Sequence, residues 1–180
     1  GIRRPPLRRV RNTTYKGGVG PGRNGPGPHK IPAVQHILGQ ALQSKHKRQD
    51  RKLVLLESAD LVFIAENINS LFSTFGSVTV VERHPDAYAA QVALRSRFAR
   101  MGAASTRAAW AKIEFVHGEL FDALSSRGSG LFVWADLECS MLTAAELGIL
   151  SLCTAKGGSG AVTLAGRSTS KNTWAKRSAA

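Results

Sequence analysis

Residues 53–82 read LVLLESADLVFIAENINSLFSTFGSVTVVE, and this stretch decides the fold. Leu53 to Leu56 form a short apolar run closed by Glu57, as a buried strand would be. Leu61, Ile64, Ile68, Leu71, Phe72 and Phe75 then recur at helical spacing, and Gly76 stands where a helix C-cap is expected. Val78 to Val81 is β-branched and apolar, which suits a strand buried on both faces, and it closes at Glu82. Strand, helix and strand in this order make a βαβ unit, whose strands are parallel and whose crossover is right-handed.

Working outward, the alternation continues toward the C-terminus. Pro85 opens a helix through Met101 with Gly102 as its cap, and Arg95, Arg97 and Arg100 cluster at the end where the helix dipole favours cations. Residues 102–111 are expected to be a loop or a short helix. Residues 113–116 give a third strand, followed by the turn His117-Gly118-Glu119 and a short helix over 120–124. Residues 131–135 give a fourth strand ending at Asp136, 142–152 a helix, 157–160 a tight turn and 161–165 a fifth strand. Five strands alternating with helices imply an open parallel α/β sheet covered on both faces.

Toward the N-terminus the composition changes. The 180 residues carry a net charge of +13, but residues 1–52 hold 13 Lys and Arg against one acid, Asp50. Residues 53–165 hold 8 basic and 11 acidic residues, so the body is mildly acidic and the excess sits at the two ends. Residues 1–30 are rich in Gly, Pro and Arg with almost no apolar periodicity, so alone they cannot offset their ordering entropy. A polyanion supplies what they lack, since Arg and Lys neutralise phosphates and release counterions. Arg3, Arg4, Arg8, Arg9, Arg11, Lys16 and Arg23 are therefore candidate nucleic-acid contacts. Lys45, Lys47 and Arg48 continue that surface, and Lys171, Lys176 and Arg177 extend it in the tail. A solvated tail, a mitochondrial targeting peptide and an arm that meets an acidic protein partner are the competing readings of the basic arm. Between arm and sheet, Ile31, Val34, Leu38, Ala41 and Leu42 fall on one face of a helix opened by Pro32. The chain thus divides into an extended arm (1–30), a basic amphipathic helix with a linker (31–52), an α/β domain (53–167) and a basic tail (168–180).

The order of motifs resembles the class I S-adenosylmethionine-dependent methyltransferases, through VLLESAD, VTVVERHP, FVHGELFD, FVWADLE and GAVTLAGRS. The resemblance covers residues 53–167 and implies a Rossmann-like fold with S-adenosylmethionine as cofactor. It implies that Glu57, Ser58 and Ala59 form the first cofactor turn, that Glu82 holds the ribose hydroxyls, and that Glu119 lies near the adenine. Asp136 would face the methionine end as the catalytic-site acid. Ligands of open α/β sheets bind outside the carboxyl ends of the strands, where these acids fall. The sequence also departs from the family. Its first turn, Glu57-Ser58-Ala59-Asp60-Leu61, has no glycine, and Leu61 is expected to crowd the methionine or ribose. Neither a Pro-Pro-aromatic motif after Asp136 nor a nucleophilic cysteine motif is present, and the sheet is expected to stop after five strands, without a closing hairpin.

Two functional readings follow. One is a non-catalytic structural component of a ribonucleoprotein, ribosome-like, or of a virion, in which a degenerate methyltransferase-like domain is a rigid body. There the basic ends grip RNA through its phosphate backbone, beside other proteins of the assembly, and Glu57, Glu82 and Asp136 are solvated strand-end carboxylates. The other is an active methyltransferase acting on RNA or DNA. A dinucleotide-binding dehydrogenase ranks below both, since no GxGxxG follows the first strand. Cys139 and Cys153 lie in apolar surroundings without ligand spacing, and His29, His36 and His46 show no ligand grouping, so no metal is expected and the thiols read as reduced and buried in an intracellular compartment, mitochondrial or virion locations included. No apolar run approaches the ~20 residues of a membrane span. Trp134 reads as core, while Trp174, among Lys171, Lys176 and Arg177, reads as a candidate base-stacking residue.

Overall fold

The computed structural model describes residues 30–57, 59–137 and 144–164. Its five strands are β1 (Lys52–Leu55), β2 (Ser77–Glu82), β3 (Glu114–His117), β4 (Leu131–Leu137) and β5 (Ser159–Leu164). They form one parallel sheet in the order β3-β2-β1-β4-β5. Val54 lies opposite Thr79 on one side and Val133 on the other, so β1 and β4 are the central pair. From β1 the chain steps outward to β2 and β3, then returns to lay β4 and β5 on the other side. The sheet's topological switch point therefore lies between β1 and β4.

The apolar runs explain this arrangement. Alternate residues of a strand face opposite ways, and both faces here are covered. Leu53, Leu55, Val78, Val80, Phe132 and Trp134 pack toward α1 (Lys30–Gln43), α2 (Val62–Thr74) and α4 (Ala104–Lys112). Leu94 and Phe98 of α3 (Pro85–Phe98) close the rim of that core. Val54, Val81, Leu131, Val133 and Ala135 pack toward α5 (Leu120–Ser125) and α6 (Ala144–Ala155). The open parallel α/β sheet expected from the alternation, Rossmann-like as the resemblance implies, is thus the fold of the described residues. Trp134 is core, 2% exposed, with its ring edge-on to Phe63 at 4.4 Å.

Several local expectations are corrected. Gly76 does not cap α2 in a left-handed conformation; Phe75 caps it in extended geometry. Glycine is required at 76 because a Cβ there would sit 2.4 Å from the carbonyl oxygen of Gln49. The helix opened by Pro85 stops at Phe98, and the chain turns through Gly102, at φ 84°. Of the two alternatives for residues 102–111, a loop or a short helix, the helix is present over 104–112, with only Ala109 and Trp110 on its buried side. Trp110 is a core residue, stacked on Phe98 at 4.7 Å. Gly160 belongs to β5 and not to the preceding turn. Among the described side chains of α1, Ile37 and Ala41 are buried and seat the helix against the sheet, while Leu42 is 67% exposed. The basic arm up to residue 29, the tail from 165, Cys139 and Trp174 lie outside the described residues.

Candidate functional site

The carboxyl ends of the parallel strands share one rim of the sheet, and the acids singled out in the sequence fall along it. Beyond β1, Glu57 is buried at 7% exposure, an unusual place for a carboxylate. Its Oε2 accepts the backbone N–H of Ile64, 3.3 Å away in the first turn of α2. First-turn amides have no intrahelical partner, and the helix dipole favours negative charge there. Leu61, at the N-cap position, has no side-chain oxygen to offer. Glu57, four residues upstream, supplies one instead. The backbone carbonyl of Glu57 accepts from Nε2 of Gln91 at 2.9 Å, and Gln91 is fully buried on the inner face of α3. The turn after β1 is thereby fixed by two helices.

Leu61 departs from expectation. It adopts φ 53°, ψ 32°, the left-handed conformation that glycine enters freely and a leucine does not. Its side chain is 0% exposed and belongs to the core beneath α1 and α2. It is therefore withdrawn into the interior and does not crowd the end of β1.

Glu82 closes β2, half-buried, with Oε1 accepting the backbone N–H of His84 at 2.7 Å. Its backbone carbonyl accepts from the N–H of Gly118 at 3.0 Å, which ties the turn after β3 to the end of β2. The ring of His117 stacks on Tyr88 of α3 at 5.1 Å, and its Nε2 lies 3.1 Å from the carbonyl oxygen of Arg83. Glu119 follows as the exposed N-cap residue of α5, its side chain making no cap hydrogen bond. Asp136 lies near the end of β4, opposite Thr163 of β5. Ala59 and Asp60 are half-buried in the turn, and Ser58 lies outside the described residues.

The topology thus brings Glu57, Glu82, Glu119 and Asp136 to one rim. It separates others: Lys52 opens β1 and Lys156 precedes β5, both at the opposite rim from Asp136. Lys45, Lys47 and Arg48 are exposed, also at that opposite rim, where Nη1 of Arg48 donates to the carbonyl of Phe72 at 3.0 Å. Arg3 to Arg23 and Lys171 to Arg177 lie outside the described residues. Gln91 was not singled out in the sequence, although a signal exists. It interrupts the stripe Ala87, Gln91, Leu94, Phe98 at helical spacing, which marks a polar group carried into the interior.

No family model matches this sequence, and no curated protein matches it. Among solved structures, a Corynebacterium glutamicum protein aligns at TM-score 0.45 and 14% identity, over 86% of this chain and 70% of that one. The mitomycin 7-O-methyltransferase MmcR aligns at TM-score 0.29 and 12% identity, over 71% of this chain and 43% of that one. The chain thus spans under half the length of MmcR. Neither likeness bears on what this chain does.

Proposed function

We propose that the rim between β1, β2 and β4 binds the nucleoside of S-adenosylmethionine, and that the chain is a methyltransferase-like protein acting on nucleic acid. The observation that carries this is the conformation of Leu61: the first turn takes the backbone path of a glycine while its one bulky side chain is withdrawn into the core. Glu82 has one carboxylate oxygen on the backbone N–H of His84 and stands at the position where a carboxylate accepts ribose hydroxyls. Glu119, exposed in the adjoining turn, is suited to the adenine end, and Asp136 to the methionine end. Glu57 fixes the first turn through Oε2, and its place beyond β1 puts it beside the same site.

Titration calorimetry with S-adenosylmethionine and S-adenosylhomocysteine tests this reading. Micromolar binding is expected, weakened roughly 10- to 100-fold by Glu82→Ala, the scale of losing hydrogen bonds to a charged acceptor. No binding at millimolar cofactor rejects it.

A second reading, the non-catalytic component of a ribonucleoprotein or virion, is favoured by Glu57 serving as a helix cap, a structural use that survives loss of catalysis. It requires the same calorimetry to show no cofactor binding while nucleic acid is still bound.

A further inference from the structure

The described charges are sorted by rim. Around the carboxyl ends of the strands lie Glu57 and Asp60 after β1, Glu82 at the end of β2, Asp86 in the first turn of α3, Glu119 before α5 and Asp136 near the end of β4. Glu66 and Asp122 sit in the halves of α2 and α5 nearer that rim. Among the described side chains, Arg83 is the one Lys or Arg there.

The amino-terminal rim is the reverse. The segment entering β1 carries Lys45, Lys47, Arg48, Arg51 and Lys52. The last turns of α3 and the turn beyond bring Arg95, Arg97 and Arg100, and α4 brings Arg107 and Lys112. Arg127 and Lys156 precede β4 and β5. Against them the described acids are Asp50 and Glu114, and one ion pair, Arg127 with Glu114 at 2.7 Å, forms.

Some of these cations have structural partners. Lys156 donates to the carbonyls of Leu124, Ser125 and Arg127, and Arg51 to those of His46 and Thr74. Lys45, Lys47, Arg97, Arg100 and Lys112 are exposed, with no ion pair or side-chain hydrogen bond among the described residues. Helix-end partners account for the first group and leave the second unexplained.

The relief of the surface fits an extended occupant. Residues 45–46 and 48–49 line two open depressions of the surface. One, of about 400 Å³, is lined by Lys45, His46, Arg127 and Lys156. The other, of about 480 Å³, lies between Arg48, Phe72 and Lys112. With strands ~4.8 Å apart, the rim of a five-stranded sheet spans roughly 19 Å, enough for several consecutive phosphates of a single strand.

We propose that this amino-terminal rim is a docking surface for the phosphate backbone of nucleic acid, on the face of the domain opposite the cofactor rim. The inference deepens the nucleic-acid part of the reading above and does not depend on cofactor binding. It carries a geometric consequence: the docked segment lies behind the acidic rim, so it tethers the protein without occupying the crevice. Polyanion and S-adenosylhomocysteine should bind without competing.

The test is fluorescence anisotropy of the full chain with a labelled single-stranded RNA of mixed sequence over a salt series. It is run for wild type, for the triple variant Lys45→Gln/Lys47→Gln/Lys112→Gln, and for Arg83→Gln as a control at the other rim. All four positions are exposed, so folding should be preserved, and circular dichroism checks it. The triple variant should bind ~10-fold or more weakly, with a log-log salt slope shallower by about 2, as for three lost phosphate contacts on a single strand. Arg83→Gln should match wild type. If the triple variant keeps the wild-type slope while wild type binds RNA, the arm alone is the contact and the docking surface is refuted, although nucleic-acid binding stands. No RNA binding by wild type refutes both. Stronger displacement by polyglutamate or by phosphatidylserine vesicles than by unlabelled RNA refutes the nucleic-acid assignment. Competition by S-adenosylhomocysteine refutes the separation of the two surfaces.

Discussion

The carboxylate of Glu57 accepts the amide of Ile64 across the first turn of α2, so a residue just beyond the first strand also caps the following helix. A cap is ordinarily a Ser, Thr, Asp or Asn at the N-cap itself. Here that position is Leu61, and the distant carboxylate substitutes for it. Removing it in Glu57→Ala is expected to cost about 1–2 kcal/mol, the usual effect of losing a cap. Glu57→Gln keeps an acceptor oxygen and should lose less. Urea denaturation of the three proteins decides; equal midpoints for wild type and Glu57→Ala would show that the contact contributes nothing.

At Leu61 two effects oppose each other. The left-handed conformation costs a non-glycine residue ~1–2 kcal/mol, whereas deleting a fully buried leucine side chain costs about 2–5 kcal/mol. Burial outweighs the backbone strain, so Leu61→Gly should be destabilised despite relieving that strain. Leu61→Ala loses the side chain and keeps the strain, so it should be less stable than Leu61→Gly by ~1 kcal/mol, the reverse of the usual order for these residues. Finding alanine more stable than glycine at this position would mean that residue 61 is not held left-handed.

The legible and illegible parts of the molecule divide on physical lines. The sheet can be read because β1, β2 and β4 are buried on both faces and so carry continuous apolar runs, and because a crossover helix forces parallel pairing. The placement of Glu57, Glu82, Glu119 and Asp136 on one rim follows from that topology alone. What Glu57 does there cannot be read, because a carboxylate that caps a helix and one that holds a ligand look alike in sequence. Leu61 misleads for a related reason: spacing locates a residue along the chain, not the face toward which its side chain turns. Gly76 suggests a cap because that is the common reason for a glycine after a helix, whereas its actual constraint, Gln49, lies 27 residues earlier in the chain. Pairing of distant segments decides such positions, and no local pattern records it.

Glu114, at the start of β3, has one carboxylate oxygen that accepts from Nη2 of Arg127 at 2.7 Å and from Oγ1 of Thr79 at 2.8 Å. Partial burial alone would raise its pKa, but these two hydrogen bonds and the guanidinium charge outweigh it and hold the carboxyl below its ordinary 4.5. A folded-state pKa below the unfolded one means that the unfolded chain takes up the proton first as pH falls. The contribution is therefore fully present above about pH 4.5 and is lost progressively below it. Glu114→Gln should unfold with a shallower pH dependence than wild type in that acid range, and the two proteins should differ by a constant amount near neutrality. Parallel curves down to the acid limit would show that the pair with Arg127 does not survive in solution.

Cys153 sits on α6 at 0% exposure, and its burial pushes the thiol up to about 11, the nearby Lys156 charge offsetting only part of this. The thiolate is the reactive form, so at pH 8 only about one part in a thousand would be ionised even where a reagent could reach it. In the folded protein Cys153 should therefore resist iodoacetamide, and labelling located by peptide mass spectrometry should appear only on unfolding. The linkage runs opposite to that of Glu114. Because the folded pKa is raised, the unfolded thiol ionises first, so this contribution to stability is complete below about pH 9 and declines between there and about 11. Cys153→Ala should flatten that alkaline decline while lowering stability modestly at neutral pH. Cys153→Ser should do worse, since a hydroxyl buried without a partner costs ~1–3 kcal/mol. Labelling of Cys153 in the native protein at pH 8, as fast as in urea, would mean that α6 opens readily from the sheet.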